Sequence, residues 1–178
     1  MMTFTLILFC LLAVCGLIGS AFYSGMETGL YTINRVRLTV RSGHGDAKAQ
    51  WLQKLIRKPA TMLTVLLLGN NIANYVSSFG IAGLLDAAGI SPIGAIAINA
   101  GALIPLLFVF GEVLPKDLFR TQTDRWSYSC AGGLRWTARL LTIVGLLPVI
   151  SAGVRLAAGG ARSTSLITPR QRLGQLFK

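Results

Sequence analysis

Three long apolar runs dominate the chain. The first extends from Phe4 to Tyr23 and continues through polar turns to Ile33. The second, Ala60 to Leu85, contains no Lys or Arg, and the third covers Ile93 to Phe110. Runs of about 20 apolar residues predict membrane-spanning helices. The expected spans are residues 4–33, 60–85 and 93–115. A fourth run, Leu140 to Val154, has only fifteen residues, is interrupted by Pro148 and is flanked by basic residues on both sides. A span needs more length than this. Residues 140–154 are therefore expected to form a re-entrant segment buried against the other helices, with a tilted span as the alternative.

Between the first two runs lies the basic stretch Asn34–Lys58. The sequence Ser42-Gly43-His44-Gly45-Asp46 predicts a turn within it. Asp46 is placed to N-cap a following helix, in which Trp51, Leu52, Leu55 and Ile56 form one apolar stripe. Such a helix either lies in the headgroup layer, with Trp51 as its anchor, or packs on the protein's own surface. Pro59 suits the first turn of the next helix. The segment Asp86–Pro92 predicts a short turn.

Charge sets the expected orientation. The net charge is +11, and the 17 basic residues fall in three groups: seven in Arg35–Lys58, five in Lys116–Arg139 and five in Arg155–Lys178. None precedes Arg35, so the N-terminus is expected outside and the basic loops inside. The same loops would attract anionic lipid. They carry no recognisable nucleic-acid reader, and no nucleic-acid partner is expected. Only 13% of residues are charged and the mean hydropathy is +0.62, values of an integral membrane protein. The expected class is an all-α, multi-pass protein of the inner or plasma membrane. Without a basic segment before the first run, a retained span is expected over a cleaved signal peptide. Residues 1–158 form the expected transmembrane domain and residues 159–178 a basic cytoplasmic tail. Cys10, Cys15 and Cys130 suggest no disulfide framework.

Polar residues inside the apolar runs are the candidate chemistry. Ser24-Gly25-Met26-Glu27-Thr28 ends the first run, Gly69-Asn70-Asn71-Ile72-Ala73-Asn74 lies inside the second, and Gly111-Glu112 ends the third. We expect the three clusters to meet and hold a cation. Asn70 and Asn74, four apart, share a helical face, which Ser77 and Ser78 continue; Asn71 points elsewhere. Gly69 and Gly111 are placed to bend a helix or bare a carbonyl. The Gly25-x3-Gly29 step would admit a second helix close to Ser24. Alternatives remain for each: Glu112 as partner of Lys116, Glu27 as partner of Arg35, and the amides as interhelical glue. Hydroxyl, amide, carboxylate and carbonyl oxygens select a hard cation, Mg²⁺ or Ca²⁺. One His in a predicted loop and the absence of a phosphate-binding loop argue against an enzyme.

These motifs are similar to those of a known family. Phe22-Tyr23-Ser24-Gly25-Met26-Glu27-Thr28-Gly29-Leu30, Leu68-Gly69-Asn70-Asn71-Ile72-Ala73-Asn74 and Phe110-Gly111-Glu112-Val113-Leu114-Pro115-Lys116 resemble the transmembrane domain of the CNNM (cyclin M)/CorC magnesium transporters. The resemblance covers about residues 15–160 and includes Asn34-Arg35-Val36-Arg37-Leu38. It implies three spans, a re-entrant or juxtamembrane helical part, an outside N-terminus and a homodimer. It implies transport of Mg²⁺, with Co²⁺ as a second cargo, by alternating access, with export coupled to Na⁺. The ligands it implies are Ser24, Asn70, Asn74 and Glu112 with the carbonyls of Gly69 and Gly111; Asn71 and Glu27 match less firmly. Most relatives continue into a CBS pair that binds adenine nucleotide. None is found through Lys178, so three expectations stand: unregulated action, control by a separate regulatory chain, or a sensor or scaffold that does not transport. The alternative function is a non-transporting membrane partner or Mg²⁺ sensor. A membrane-bound enzyme acting on lipid is a third, weaker reading.

Overall fold

A computed structural model describes residues 2–145. They form six helices and, among the described residues, no strand: α1 (Met2–Thr32), α2 (Arg35–Gly43), α3 (Ala47–Ile56), α4 (Pro59–Ala87), α5 (Pro92–Thr121) and α6 (Thr123–Ile143). The turn residues do what their chemistry requires. The Asn34 side chain caps α2 by accepting from the amides of Val36 and Arg37, and Asp46 caps α3 through those of Lys48 and Ala49. Gly45 and Gly89 sit at φ +86° and +70°, in the two turns the sequence marks.

Two helices, Thr3–Thr32 and Pro92–Thr121, are long and apolar enough to cross a membrane. Their apolar side chains are mostly uncovered, among them Phe4, Leu11 and Ile18 on α1 and Ile93, Ile104 and Phe108 on α5. So large an apolar surface is stable against lipid tails rather than water. The 29-residue helix α4 has the length of a span. It falls short in hydropathy because Asn70, Asn71 and Asn74 dilute its apolar character.

The bundle is arranged around α1, which lies between α4 on one side and α5 on the other. Along α4, small residues bring the backbones into contact. A methyl group added at Gly16 would lie 2.3 Å from the Ser77 amide nitrogen, and one at Gly80 would lie 2.4 Å from that of Ala13. This is close packing of the small-residue kind that membrane helices use. At the basic end, Met26, Leu30, Leu38, Leu52, Leu66 and Leu134 form a fully buried core. There α3 turns its apolar stripe inward: Leu52, Leu55 and Ile56 are all buried. The stripe packs on the protein, so the reading of α3 as a helix lying on headgroups gives way to protein packing.

The helix that carries the third apolar segment continues past residue 115 to Thr121. It passes Pro105 and Pro115 by widening into π-helical turns at Asn99–Leu103 and Val109–Val113. Leu114 accordingly donates to the Val109 carbonyl, five residues back. A proline has no amide hydrogen, and its ring presses on the carbonyl four residues earlier. In both places that carbonyl belongs to a glycine, Gly101 or Gly111, and the wider turn relieves the clash. The expected re-entrant segment 140–154 is only partly described. Residues 140–143 finish α6 and Gly145 turns the chain at φ +80°. The remainder, 146–154, and the tail 159–178 lie outside the described residues.

Candidate ion site

The three polar motifs reach the same stretch of α1. Ser20 and Ser24, one turn apart, are both 2% exposed although each carries a hydroxyl within a largely apolar helix. Burial of a hydroxyl demands a partner. Ser20 Oγ donates to Asn70 Oδ1 of α4 at 3.1 Å. Ser24 Oγ donates to the Glu112 carbonyl, inside the π-turn of α5, at 3.5 Å. Gly111, buried in that turn, faces Ser20: an added methyl would sit 3.1 Å from the Ser20 hydroxyl. Ser20 therefore touches both neighbouring helices, and Ser24, Asn70, Gly111 and Glu112 gather around it.

The remaining predicted residues are placed differently. Gly69 is buried but does not break its helix, since α4 runs through it without interruption. Its lack of a side chain makes room for the Tyr23 ring, which a methyl would meet at 2.4 Å. Asn71 and Asn74 are both exposed, whereas Asn70 is half-buried. The α4 face against α1 is set by Gly69, Ala73, Ser77 and Gly80, and Asn74 lies beside it. Ser77 donates to the Ala13 carbonyl at 3.1 Å, while Ser78 is exposed.

The carboxylates also sort themselves. Glu27 pairs with Lys116 across helices, Nζ to Oε2 at 3.7 Å, rather than with Arg35. Lys116 is thus engaged with Glu27 rather than with Glu112, four residues before it. Glu112 forms no ion pair among the described residues. Gly25 and Gly29 do admit close neighbours, the Phe119 ring of α5 and Ser127 of α6. Among the described residues no three His, Cys, Asp or Glu side chains cluster. The oxygens that meet here are hydroxyl, side-chain amide and backbone carbonyl, a donor set suited to a hard cation.

Ser20 is the residue that sequence reasoning passed over. Its signal was its spacing: one turn before Ser24 on the same face, in a run with few other polar positions.

Beyond the site, Arg41 stacks over the Tyr128 ring at 4.2 Å, and Arg37 pairs with Asp124, tying α2 to α6. Burial pushes the Tyr128 phenol above its ordinary 10, with Asp124 adding to the rise and Arg41 opposing it.

Long apolar helices around buried polar side chains define an all-α integral membrane protein. Comparison with known families places it further: the chain belongs to the CNNM family, whose Cyclin M transmembrane N-terminal domain matches residues 10–173. It is 35% identical over 109 residues to the UPF0053 inner membrane protein YfjD of Escherichia coli (strain K12), covering 61% of this chain and 25% of that protein. It is 36% identical over 121 residues to a UPF0053 protein of Haemophilus influenzae, covering 68% of this chain and 28% of that protein. The matched part is thus about a quarter of the length of these relatives.

Proposed function

We propose that the chain is the membrane-crossing part of a divalent-cation transporter. Its cargo is Mg²⁺, with Co²⁺ as a close competitor. It has three spans with the N-terminus outside, works as a homodimer by alternating access, and exports its cargo against a second ion such as Na⁺. It performs no covalent catalysis. The observation that carries this reading is the meeting of three separate sequence motifs at Ser20 and Ser24, through the Asn70 side chain and the Glu112 carbonyl. A hard cation needs several oxygens at once, and a helix widened beside a proline offers backbone oxygen at membrane depth. One or two carboxylates keep binding weak enough for release.

A second reading also has an observation in its favour. The Ser20 and Ser24 hydroxyls are hydrogen-bonded within the protein, as helix-packing groups would be. A membrane partner or Mg²⁺ sensor that does not transport would need no more.

Mg²⁺ flux into or out of proteoliposomes separates the two. Wild type is expected to move Mg²⁺, and Glu112→Ala and Asn70→Ala are expected to lose the flux while melting near wild type. Flux undiminished in both variants refutes the assigned site. No flux in wild type, with Mg²⁺ still raising the melting temperature, favours the sensor; saturation a hundredfold above Kd would add roughly 2.7 kcal/mol.

A further inference from the structure

A cavity of about 290 Å³ opens at the basic end, between the C-terminal half of α3, the start of α4 and the later turns of α6. Four cations line it: Lys54 and Lys58 on one side, Arg135 and Arg139 on the other. Thr61 and Thr142 add hydroxyls, and Trp51 forms part of the wall. No carboxylate contributes to the lining.

Four exposed cations around one cavity create a positive potential that attracts an anion. The chain has six acidic side chains, all within the described residues. Glu27 pairs with Lys116, Asp46 with Arg41, Asp117 with Arg120 and Asp124 with Arg37. Asp86 lies in the turn at the other end of α4, and Glu112 lies in the candidate ion site. None of the four cavity cations forms an ion pair among the described residues, and residues 146–178 contain no Asp or Glu to supply one. Among the described residues no acidic side chain offsets that potential, which leaves it available to an anion from outside the chain. The first turn of α4, which Thr61 brings to the cavity, also begins without a side-chain cap.

The surroundings indicate what kind of anion. Next to the Arg135 and Arg139 ridge of α6 runs an exposed apolar stripe, Trp136, Leu140 and Ile143, at i, i+4 and i+7. Ile143 is 83% exposed. A soluble anion would leave that stripe bare, whereas a lipid whose head enters the cavity would cover it with acyl chain. Trp51 and Trp136 are also of the residue type favoured at headgroup depth. We propose that this cavity binds the phosphate headgroup of an anionic phospholipid, with an acyl chain lying along Trp136, Leu140 and Ile143. The site requires only that the chain lie in a membrane and is independent of whether it transports.

Quenching of Trp51 fluorescence tests the proposal in the full chain, with Trp126→Phe and Trp136→Phe removing the other tryptophans. The protein is reconstituted with brominated phosphatidylglycerol or brominated phosphatidylcholine at equal mole fraction. The anionic lipid is expected to quench more strongly. Arg135→Gln with Arg139→Gln is expected to reduce that preference about thirtyfold, from two lost charges near a lipid surface. Lys54→Gln with Lys58→Gln, on the opposite wall, should do the same independently. Should either pair fail to fold, the other still decides. Equal quenching by the two lipids overturns the proposal. So does relief of quenching by millimolar inorganic phosphate, which would identify a soluble anion instead.

Discussion

Replacing Gly16 by alanine tests whether the α1–α4 contact is as tight as it looks. The new methyl would lie 2.3 Å from the Ser77 nitrogen, 2.6 Å from its Cα and 2.7 Å from the Ala73 carbonyl oxygen. All three are backbone atoms, so no side chain can swing away. An ordinary contact requires the helices to part by about 1 Å, and a gap of that size forfeits roughly a quarter to a half of each dispersion contact along the seam. The Ser77–Ala13 and Ser20–Asn70 hydrogen bonds, each 3.1 Å long, would stretch beyond bonding distance. Such bonds contribute about 0.6–1 kcal/mol each between membrane helices. With about 1 kcal/mol of lost dispersion, the total is ~2–3 kcal/mol. For a chain of this size that lowers the melting temperature by about 5–10 °C. Thermal unfolding in detergent, followed by tryptophan fluorescence, measures it. Gly132→Ala is the control, because its methyl meets nothing within 4 Å. It is expected to be neutral or to stabilise by about 0.5–1 kcal/mol, as a glycine removed from a helix interior does. A Gly16→Ala protein melting within a degree of wild type would refute the close crossing.

Other perturbations read different parts of the molecule. Asn34→Ala and Asp46→Ala each remove a cap that satisfies two amides, and each is expected to cost about 1 kcal/mol in chemical denaturation; substitution by Gly should cost much less. Tyr128 should make the protein sensitive to alkali. Below about pH 10 the phenol is protonated both folded and unfolded and contributes nothing to the pH dependence; above it the unfolded chain ionises while burial holds the proton on the folded one, so stability falls as pH rises. Tyr128→Phe should flatten that fall above about pH 10 and cost little at pH 7, since the buried hydroxyl has no hydrogen-bond partner among the described residues. An unchanged alkaline slope in the variant would count against the buried phenol as its source.

Much of this architecture was legible from residue pattern because the bilayer leaves few choices. Long apolar runs had to become helices, and α1 and α4 begin and end within a few residues of where the hydropathy turns. Asp46 and Pro59 marked the starts of α3 and α4 through chemistry local to the chain. What could not be read was whatever depends on a neighbour. The α3 stripe suited the headgroup layer somewhat better than protein, and only the core of Leu30, Leu38 and Leu134 reverses that order. Lys116 had a carboxylate four residues away in Glu112, yet Glu27 of another helix takes it. A proline announces that the helical ladder loses a bond without saying whether the helix will stop or widen. Here it widens twice, and the helix runs on to Thr121. Among the polar clusters, pattern located Ser24, Asn70 and Glu112, but helical spacing alone could not tell that Asn74 would be exposed and Ser20 would join them.

The two sides of α1 differ in how firmly they are held. Against α4 the contact is backbone on backbone, from Gly80 beside Ala13 to Gly16 beside Ser77, and it admits almost no sliding without steric conflict. Against α5 the contact at the site rests on Gly111 facing a serine hydroxyl and on a 3.5 Å hydrogen bond at the outer limit of useful length. The π-turn there is already a departure from regular helix, and such turns frequently occur at functional sites. Motion that opened the polar cluster would meet least resistance at this contact, with the Phe119 ring on Gly25 and the Glu27–Lys116 pair still holding α5 to α1 nearby. Asn70 would stay with Ser20 while Glu112 moved away from Ser24. A donor set divided between a fixed pair of helices and a movable one could gather its oxygens around an ion in one arrangement and disperse them in the other.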